Sequence, residues 1–398
     1  MVFNSYTFVV FFAIILFLHY LPLPWKTKKI NLLVASYIFY AAWNPPFILL
    51  LWLSTVIDFY VGKALYTQEN VHKKRLLLVL SLIGNLGMLI FFKYGTFLLD
   101  NFVHLVNFMG MDFHPAEPSI ILPAGISFYT FTTLCYTIDM YKKESKPVSN
   151  LLDFSLFVTF FPHLVAGPIV RPPQLVPQFE SPRQASQKQL FEGLFLLSLG
   201  LFMKVVVADN CATVVNHVFK DHESLNASSL FVGAVFFAFQ IYGDFSGYSD
   251  IALGTSKLFG IDLLKNFNYP YFSRDIAEFW RRWHISLSTW FKDYLYVPLG
   301  GNRVVKWRWY FNLFITFMVS GLWHGANWTF LVWGFLNALF IMPSVLFNTN
   351  RNNLEIVAKG RLLPTFGELF SMILTFTLTN FAWIFFRSNG VKHAFGII

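Results

Sequence analysis

The sequence predicts an all-α protein that crosses a membrane several times, and three observations carry that prediction. The 398 residues are 56% hydrophobic and only 13% charged, whereas a soluble domain carries about a quarter charged residues. Apolar runs recur from end to end, each near the roughly 20 residues that a helix needs to cross the hydrocarbon core. Lys and Arg gather in short stretches between these runs, as they do in cytoplasmic loops.

The first run, residues 6–21, has no basic opening and no small-residue cleavage site after it, so it reads as a retained anchor. Basic clusters follow at Lys26, Lys28 and Lys29, at Lys63, Lys73, Lys74 and Arg75, and at Lys142, Lys143 and Lys146. All three are expected in the cytoplasm. Segment 101–119 carries Asp112 and Glu117 and no Lys or Arg, so it faces outward, and runs 76–92 and 120–141 cross in opposite directions. Residues 31–61 must then enter and return about Asn44-Pro45-Pro46, a helix-breaking turn, which leaves the N-terminus outside. Further apolar runs cover 151–166, 190–208, 229–259, 311–347 and 366–386.

Between 265 and 309 the pattern changes. Arg274, Arg281, Arg282, Lys292, Arg303, Lys306 and Arg308 interleave with Trp and Tyr, too many charges for a span. This stretch reads as a cytoplasmic or re-entrant element. No repeat, low-complexity tract or soluble domain is evident, so residues 1–398 form one membrane domain. The net charge of +9 belongs to positive-inside loops and not to a nucleic-acid surface. Cys135 and Cys211 lie among apolar residues without metal-ligand spacing, which suits a structural role and no metal site.

Two histidines break the pattern. Within 275–294, Ile276, Phe279, Trp280, Trp283, Leu287, Trp290, Phe291 and Tyr294 step by three and four, an amphipathic helix, and His284 falls among them beside Trp280 and Leu287. It is either a buried hydrogen-bonder or a reactive group. His324 lies inside run 311–347, in Ser320-Gly321-Leu322-Trp323-His324-Gly325-Ala326-Asn327-Trp328. An ionisable group at membrane depth is a functional-site hypothesis by default, and Asn327 at i+3 is spaced to orient the imidazole. The competing reading is a histidine that ties helices together. Asp244, Ser246 and Asp250 form a third polar cluster, either lining a polar path or joining helices. His163, at a proline-framed helix end, reads as structural. Phosphate-loop, zinc-protease and nucleophile-elbow motifs are absent.

At these residues the sequence resembles the membrane-bound O-acyltransferase family, in particular its bacterial alginate O-acetylase type. The likeness rests on Phe161-Pro162-His163-Leu164-Val165-Ala166-Gly167-Pro168, on 242–250, on Glu278-Phe279-Trp280-Arg281-Arg282-Trp283-His284-Ile285-Ser286-Leu287-Ser288-Thr289-Trp290, on Asp293-Tyr294-Leu295-Tyr296 with Leu299-Gly300-Gly301-Asn302-Arg303, and on 321–327. Ser36-Tyr37-Ile38-Phe39-Tyr40 and 123–129 extend it towards the N-terminus. Relatives of this type continue beyond the stretch matching Trp383-Ile384-Phe385-Phe386-Arg387, so the chain is expected to be shortened at its C-terminus.

The resemblance implies a ring of about 9–12 spanning and re-entrant helices around a central funnel, set among membrane lipid in a bacterial inner membrane. It makes His324 the catalytic residue and puts His284 on the same path. It implies an acyl-CoA donor, acetyl-CoA by default, with no bound cofactor. The acceptor is a polysaccharide outside the cell, reached through a separate extracytoplasmic acetyltransferase. A neutral imidazole, with an ordinary pKa of about 6.5, can take a proton from a hydroxyl or thiol as a thioester carbonyl is attacked. Arg281, Arg282 and Lys292 would meet donor phosphates or serve only as positive-inside anchors. Two alternatives stay open: a D-alanylating enzyme of the teichoic acid type and, in a different class, a transporter or channel.

Overall fold

The computed structural model describes residues 2–116 and 118–398, so Glu117, one of the two acids of the outward segment, lies outside the described residues. The described residues form helices, turns and loops and no strand. Six helices among them are long and apolar enough to cross a membrane. The chain divides into two compact units, Met1–Leu199 with Tyr248–Leu264, and Gly200–Gly247 with Lys265–Ile398.

In the first unit α1 (Tyr6–Tyr20), α2 (Trp25–Ala41) and α3 (Phe47–Thr67) follow one another, with Asn44-Pro45-Pro46 in the turn between the last two as their φ restrictions require. Asn70 caps α4 (Val71–Leu89), accepting from the amides of His72 and Lys73. A π turn, Ile90–Tyr94, then leads without a break into α5 (Gly95–Phe108). The resulting helix Val71–Phe108 has 38 residues and is roughly 57 Å long. The expected outward segment 101–119 therefore starts as helix, and the next helix, α6 (Ile126–Lys142), begins six residues later than run 120–141. The run 151–166 is not one helix either. It folds as α7 (Leu151–Thr159) and the single turn α8 (Phe161–Leu164), because Pro162 starts a new helix where its missing amide costs nothing. After α9 (Pro172–Glu180) comes α10 (Gln187–Phe202).

The core of this unit contains a carboxylate. Asp58 on α3 is fully buried and accepts from Ser81 Oγ at 2.7 Å and Asn85 Nδ2 at 2.8 Å, both on α4. Asn85 Oδ1 in turn accepts from Ser54 on α3 and Thr133 on α6. Three helices are thus tied by satisfied polar groups, the condition for burying them. The basic loops also converge: Lys29 pairs with Asp153, Lys63 donates to the Ser149 carbonyl, and Lys74 lies over the Tyr141 ring. The three clusters read as cytoplasmic from charge alone gather at one end of the unit.

The second unit starts at the end of α10, where a π turn (Met203–Ala208) leads into α11 (Asp209–Lys220). It takes the first part of α12 (Ala227–Leu258), which ends in the first unit. Then come α13 (Ile276–Arg282), α14 (Ile285–Phe291), a π turn over Lys292–Tyr296, α15 (Lys306–His324), α16 (Trp328–Leu346), α17 (Phe366–Arg387) and α18 (Val391–Ile397). Two sequence expectations are corrected here. The amphipathic stretch 275–294 is two short helices, broken at Trp283 and His284. The apolar run 311–347 is a helical hairpin, α15 and α16, with His324 at its turn and not inside a span.

Candidate active site

Each histidine sits where a helix stops. Asp275 caps α13, accepting from the Glu278 amide at 2.7 Å. Glu278 is buried and holds two guanidinium groups, Arg274 at 3.0 Å and Arg282 at 2.5 Å. After Arg282 the backbone turns: His284 has φ 42° and ψ 57°, in the left-handed region that disfavours side chains other than Gly, Asn or Asp. Residues on the preceding loop pin this break. The Ile285 amide donates to the Asn266 carbonyl, the Ser286 amide to Asn266 Oδ1, and the Asn268 amide to the Arg282 carbonyl. His284 is 1% exposed. Its ring packs edge-on to Phe245 at 4.5 Å and lies 6.1 Å from Trp323 between centroids. Burial lowers its pKa to about 3, so it is neutral at physiological pH.

The α15–α16 hairpin closes tightly because two glycines face it. A Cβ on Gly334 would stand 2.6 Å from the Phe317 carbonyl oxygen, and one on Gly321 would stand 3.2 Å from Gly334 Cα. At the far end of α15, Asn312 Nδ2 donates to the carbonyls of Leu299 and Gly301, both at 3.1 Å. His324 is the last residue of α15, and a Cβ at the following Gly325 would overlap the Phe330 ring. The imidazole lies among three rings: Trp323 at 4.9 Å, Trp333 at 5.0 Å and Phe386 at 5.2 Å. Trp323 is therefore the shared neighbour of both histidines, which lie 40 positions apart in the sequence.

A cavity of about 990 Å³ lies against α13, α14 and α15, lined by neighbours of the two histidines and by neither histidine itself, at the upper end of the range for small-molecule sites. One wall is the face of α15 carrying Trp309, Leu313, Phe317 and Ser320, whose next member at i+4 is His324. Trp280 on α13 and Ile285 and Ser288 on α14 form another wall, next to His284. Arg281, Lys292 and Arg351 line the cavity, while no carboxylate does among the described residues. Arg281 is held in place by the carbonyls of Asn350 and Asn353, at 2.9 and 3.0 Å.

Of the other residues singled out from sequence, Arg282 does not line the cavity and spends its charge on Glu278. Asp244 pairs with Lys204 at 2.6 Å, and Ser246 donates to the Tyr242 carbonyl within its own helix. Their neighbour Phe245 is the member of that segment that reaches His284. Asn327 caps α16, its Oδ1 accepting from the Thr329 amide at 2.9 Å and its Nδ2 donating to the Asn389 carbonyl at 3.0 Å. These two bonds go to backbone and pin the turn that follows the His324 helix. His163 is buried in the first unit beside Phe160. Sequence reasoning missed Phe245, Trp323, Trp333, Phe386 and Arg351. Phe245, Trp323 and Phe386 fall in stretches that carry the resemblance, but no single ring stands out in a chain that is one-fifth aromatic, and Arg351 sits in a loop with no motif around it.

Comparison with known proteins decides the lineage. The family model described as "MBOAT, membrane-bound O-acyltransferase family" matches residues 141–385. The chain belongs to the membrane-bound O-acyltransferase family. It is 37% identical over its whole length to a peptidoglycan O-acetyltransferase of Helicobacter pylori, covering 79% of that protein. It is also 37% identical, over 99% of its length and 73% of the relative's, to a probable alginate O-acetylase of Pseudomonas aeruginosa. A teichoic acid D-alanyltransferase of Bacillus subtilis is 27% identical over 70% of this chain and 72% of its own. The protein is a multi-pass membrane O-acyltransferase of the alginate O-acetylase kind, and the transporter reading is dropped. The two histidines and the cavity beside them lie inside the matched region.

Proposed function

We propose that this O-acyltransferase takes an acetyl group from acetyl-CoA on the cytoplasmic side of a bacterial inner membrane and passes it towards a hydroxyl of an extracytoplasmic glycan. The observation that carries the reading is a cavity, lined by Arg281, Lys292 and Arg351, that lies against the same helices, α13 to α15, whose ends hold two histidines against one indole. Arg281, Lys292 and Arg351 suit the phosphates of a nucleotide thioester. Trp280, Leu313 and Phe317 suit its uncharged arm.

The chemistry asked of the chain is proton handling. In its neutral form His324 accepts the proton of the incoming hydroxyl as the oxygen attacks the thioester carbonyl. The carbon–sulfur bond then breaks, the ester forms, and the proton passes to the departing thiolate. General-base help of this kind contributes about a hundred- to ten-thousand-fold. The rings of Trp323, Trp333 and Phe386 around the base favour exclusion of water, which would otherwise hydrolyse the thioester. His284, neutral through burial, fits a hydrogen-bonding and orienting role better than service as a second charged group. Acetyl is favoured over D-alanyl because the O-acetylating relatives match the whole chain at higher identity.

A separate extracytoplasmic acetyltransferase, implied by the resemblance to the alginate O-acetylase type, is part of the proposal. Ester-linked acetate on surface glycans should disappear from cells lacking the chain and return when it is restored. Purified chain given acetyl-CoA and a small hydroxyl acceptor should consume thioester and esterify that acceptor, yet leave polysaccharide unmodified until the second protein is added. Polysaccharide acetylation by the chain alone at the cellular rate would remove the relay from the account.

A further inference from the structure

The turn that carries His324 is tied to a histidine with no place in the chemistry above. Asn327, three residues after His324, donates from Nδ2 to the Asn389 carbonyl at 3.0 Å. Asn389 lies in the corner between α17 and α18, and its own amide donates to Nδ1 of His393 at 3.1 Å. The other nitrogen of that ring, Nε2, is 2.7 Å from the Phe219 carbonyl on α11. These partners fix the tautomer, because an amide only donates and a carbonyl only accepts. Nδ1 is bare and Nε2 carries the proton. The ring is further held by His222, 4.6 Å away between centroids. Gly396 makes that packing possible, since a Cβ there would stand 2.9 Å from the His222 ring.

We propose that His393 is a positioning residue: by bridging the Phe219 carbonyl and the Asn389 amide, it fixes the corner to which Asn327 anchors the His324 turn. The chain of contacts is Phe219, His393, Asn389, Asn327, and every link ends on backbone or on a side chain that links only to backbone. Such a strut holds a turn without touching the reacting atoms. Its importance for catalysis rests on His324 being the base, whereas its effect on the turn does not.

The two ends of the strut can be separated. His393→Asn keeps an acceptor for the Asn389 amide at the Nδ1 position, while His393→Gln keeps a donor for Phe219 at the Nε2 position and gives up the Asn389 contact. Asn327→Asp cuts the strut from the other side and retains a good cap for α16. The reporter is Ala326→Cys in a Cys135→Ser, Cys211→Ser background, with the alkylation rate by N-ethylmaleimide measured on detergent-purified, monodisperse protein. His393→Ala, His393→Gln and Asn327→Asp should raise that rate by about five- to tenfold, the scale of one lost hydrogen bond, and His393→Asn should leave it near the parent value. Measured with acetyl-CoA as probe, His393→Ala should lower kcat more than it raises KM, and His393→Asn should restore most of kcat. An unchanged alkylation rate in both His393→Ala and Asn327→Asp overturns the proposal. If the rates shift as stated but the parent chain shows no His324-dependent thioester turnover, the strut stands and the reading of His324 as base falls.

Discussion

His284 shows how much one backbone conformation decides. Its left-handed φ would be awkward for most residues, with a cost of about 1–3 kcal/mol at functional strain points, and the loop residue Asn266 offsets it by catching the next two amides. Asn is among the few residues that accept this geometry, so His284→Asn should give close to the parental yield of folded protein, whereas His284→Val should lower it sharply. Detergent-solubilised yield and melting temperature check this. The pH dependence follows from burial. The folded-state pKa, about 3, lies below the unfolded value of about 6.5, so below pH 6.5 the unfolded chain binds a proton that the folded chain refuses. This contribution is neutral above that pH and destabilises increasingly as pH falls towards 3. The melting temperature of the parent should therefore fall between pH 6.5 and 4 more steeply than that of His284→Asn; parallel curves would show that His284 is not held neutral.

Helices were legible where composition and length alone define them. The spans Ala227–Leu258 and Phe366–Arg387 follow from long apolar runs, and Asn44-Pro45-Pro46 marked a turn by chemistry. The breaks at the site were not read, for two different reasons. Through 275–294 the three-and-four spacing continues across His284, because a single left-handed residue leaves the apolar pattern intact while ending the helix. At 324–328 the signal was present: Asn327 followed by an apolar run is a helix start, and Gly325 precedes it, yet high hydropathy on both sides concealed the turn. Both histidines were therefore identified correctly as anomalies while their settings were misjudged. The hairpin that results depends on Gly334, whose absent side chain admits the Phe317 carbonyl. Gly334→Val should force α15 and α16 apart and cost about 1–3 kcal/mol or more, seen as a lower melting temperature together with reduced turnover. Normal stability in that variant would contradict the packing.

Across the molecule, charge asymmetry supplies an orientation that helix geometry alone lacks. The basic clusters near Lys29, Lys63 and Lys74 come together with 141–153 in the first unit, as a shared cytoplasmic side requires. An impermeant thiol reagent applied to intact cells should then label Asp112→Cys and spare Lys143→Cys, and the reverse pattern would overturn the orientation. The cavity and the two histidines belong to the second unit, and the strongest claim concerns them. The most direct test is single-turnover acetyl transfer from acetyl-CoA by purified His324→Ala, normalised to the amount of folded, monodisperse protein. A general base predicts near-parental folded yield, since His324 is only partly buried at the end of its helix, with transfer slowed by about a hundredfold or more. Well-folded His324→Ala that transfers acetyl at close to the parental rate would contradict the account and leave His324 as a residue that packs the hairpin turn.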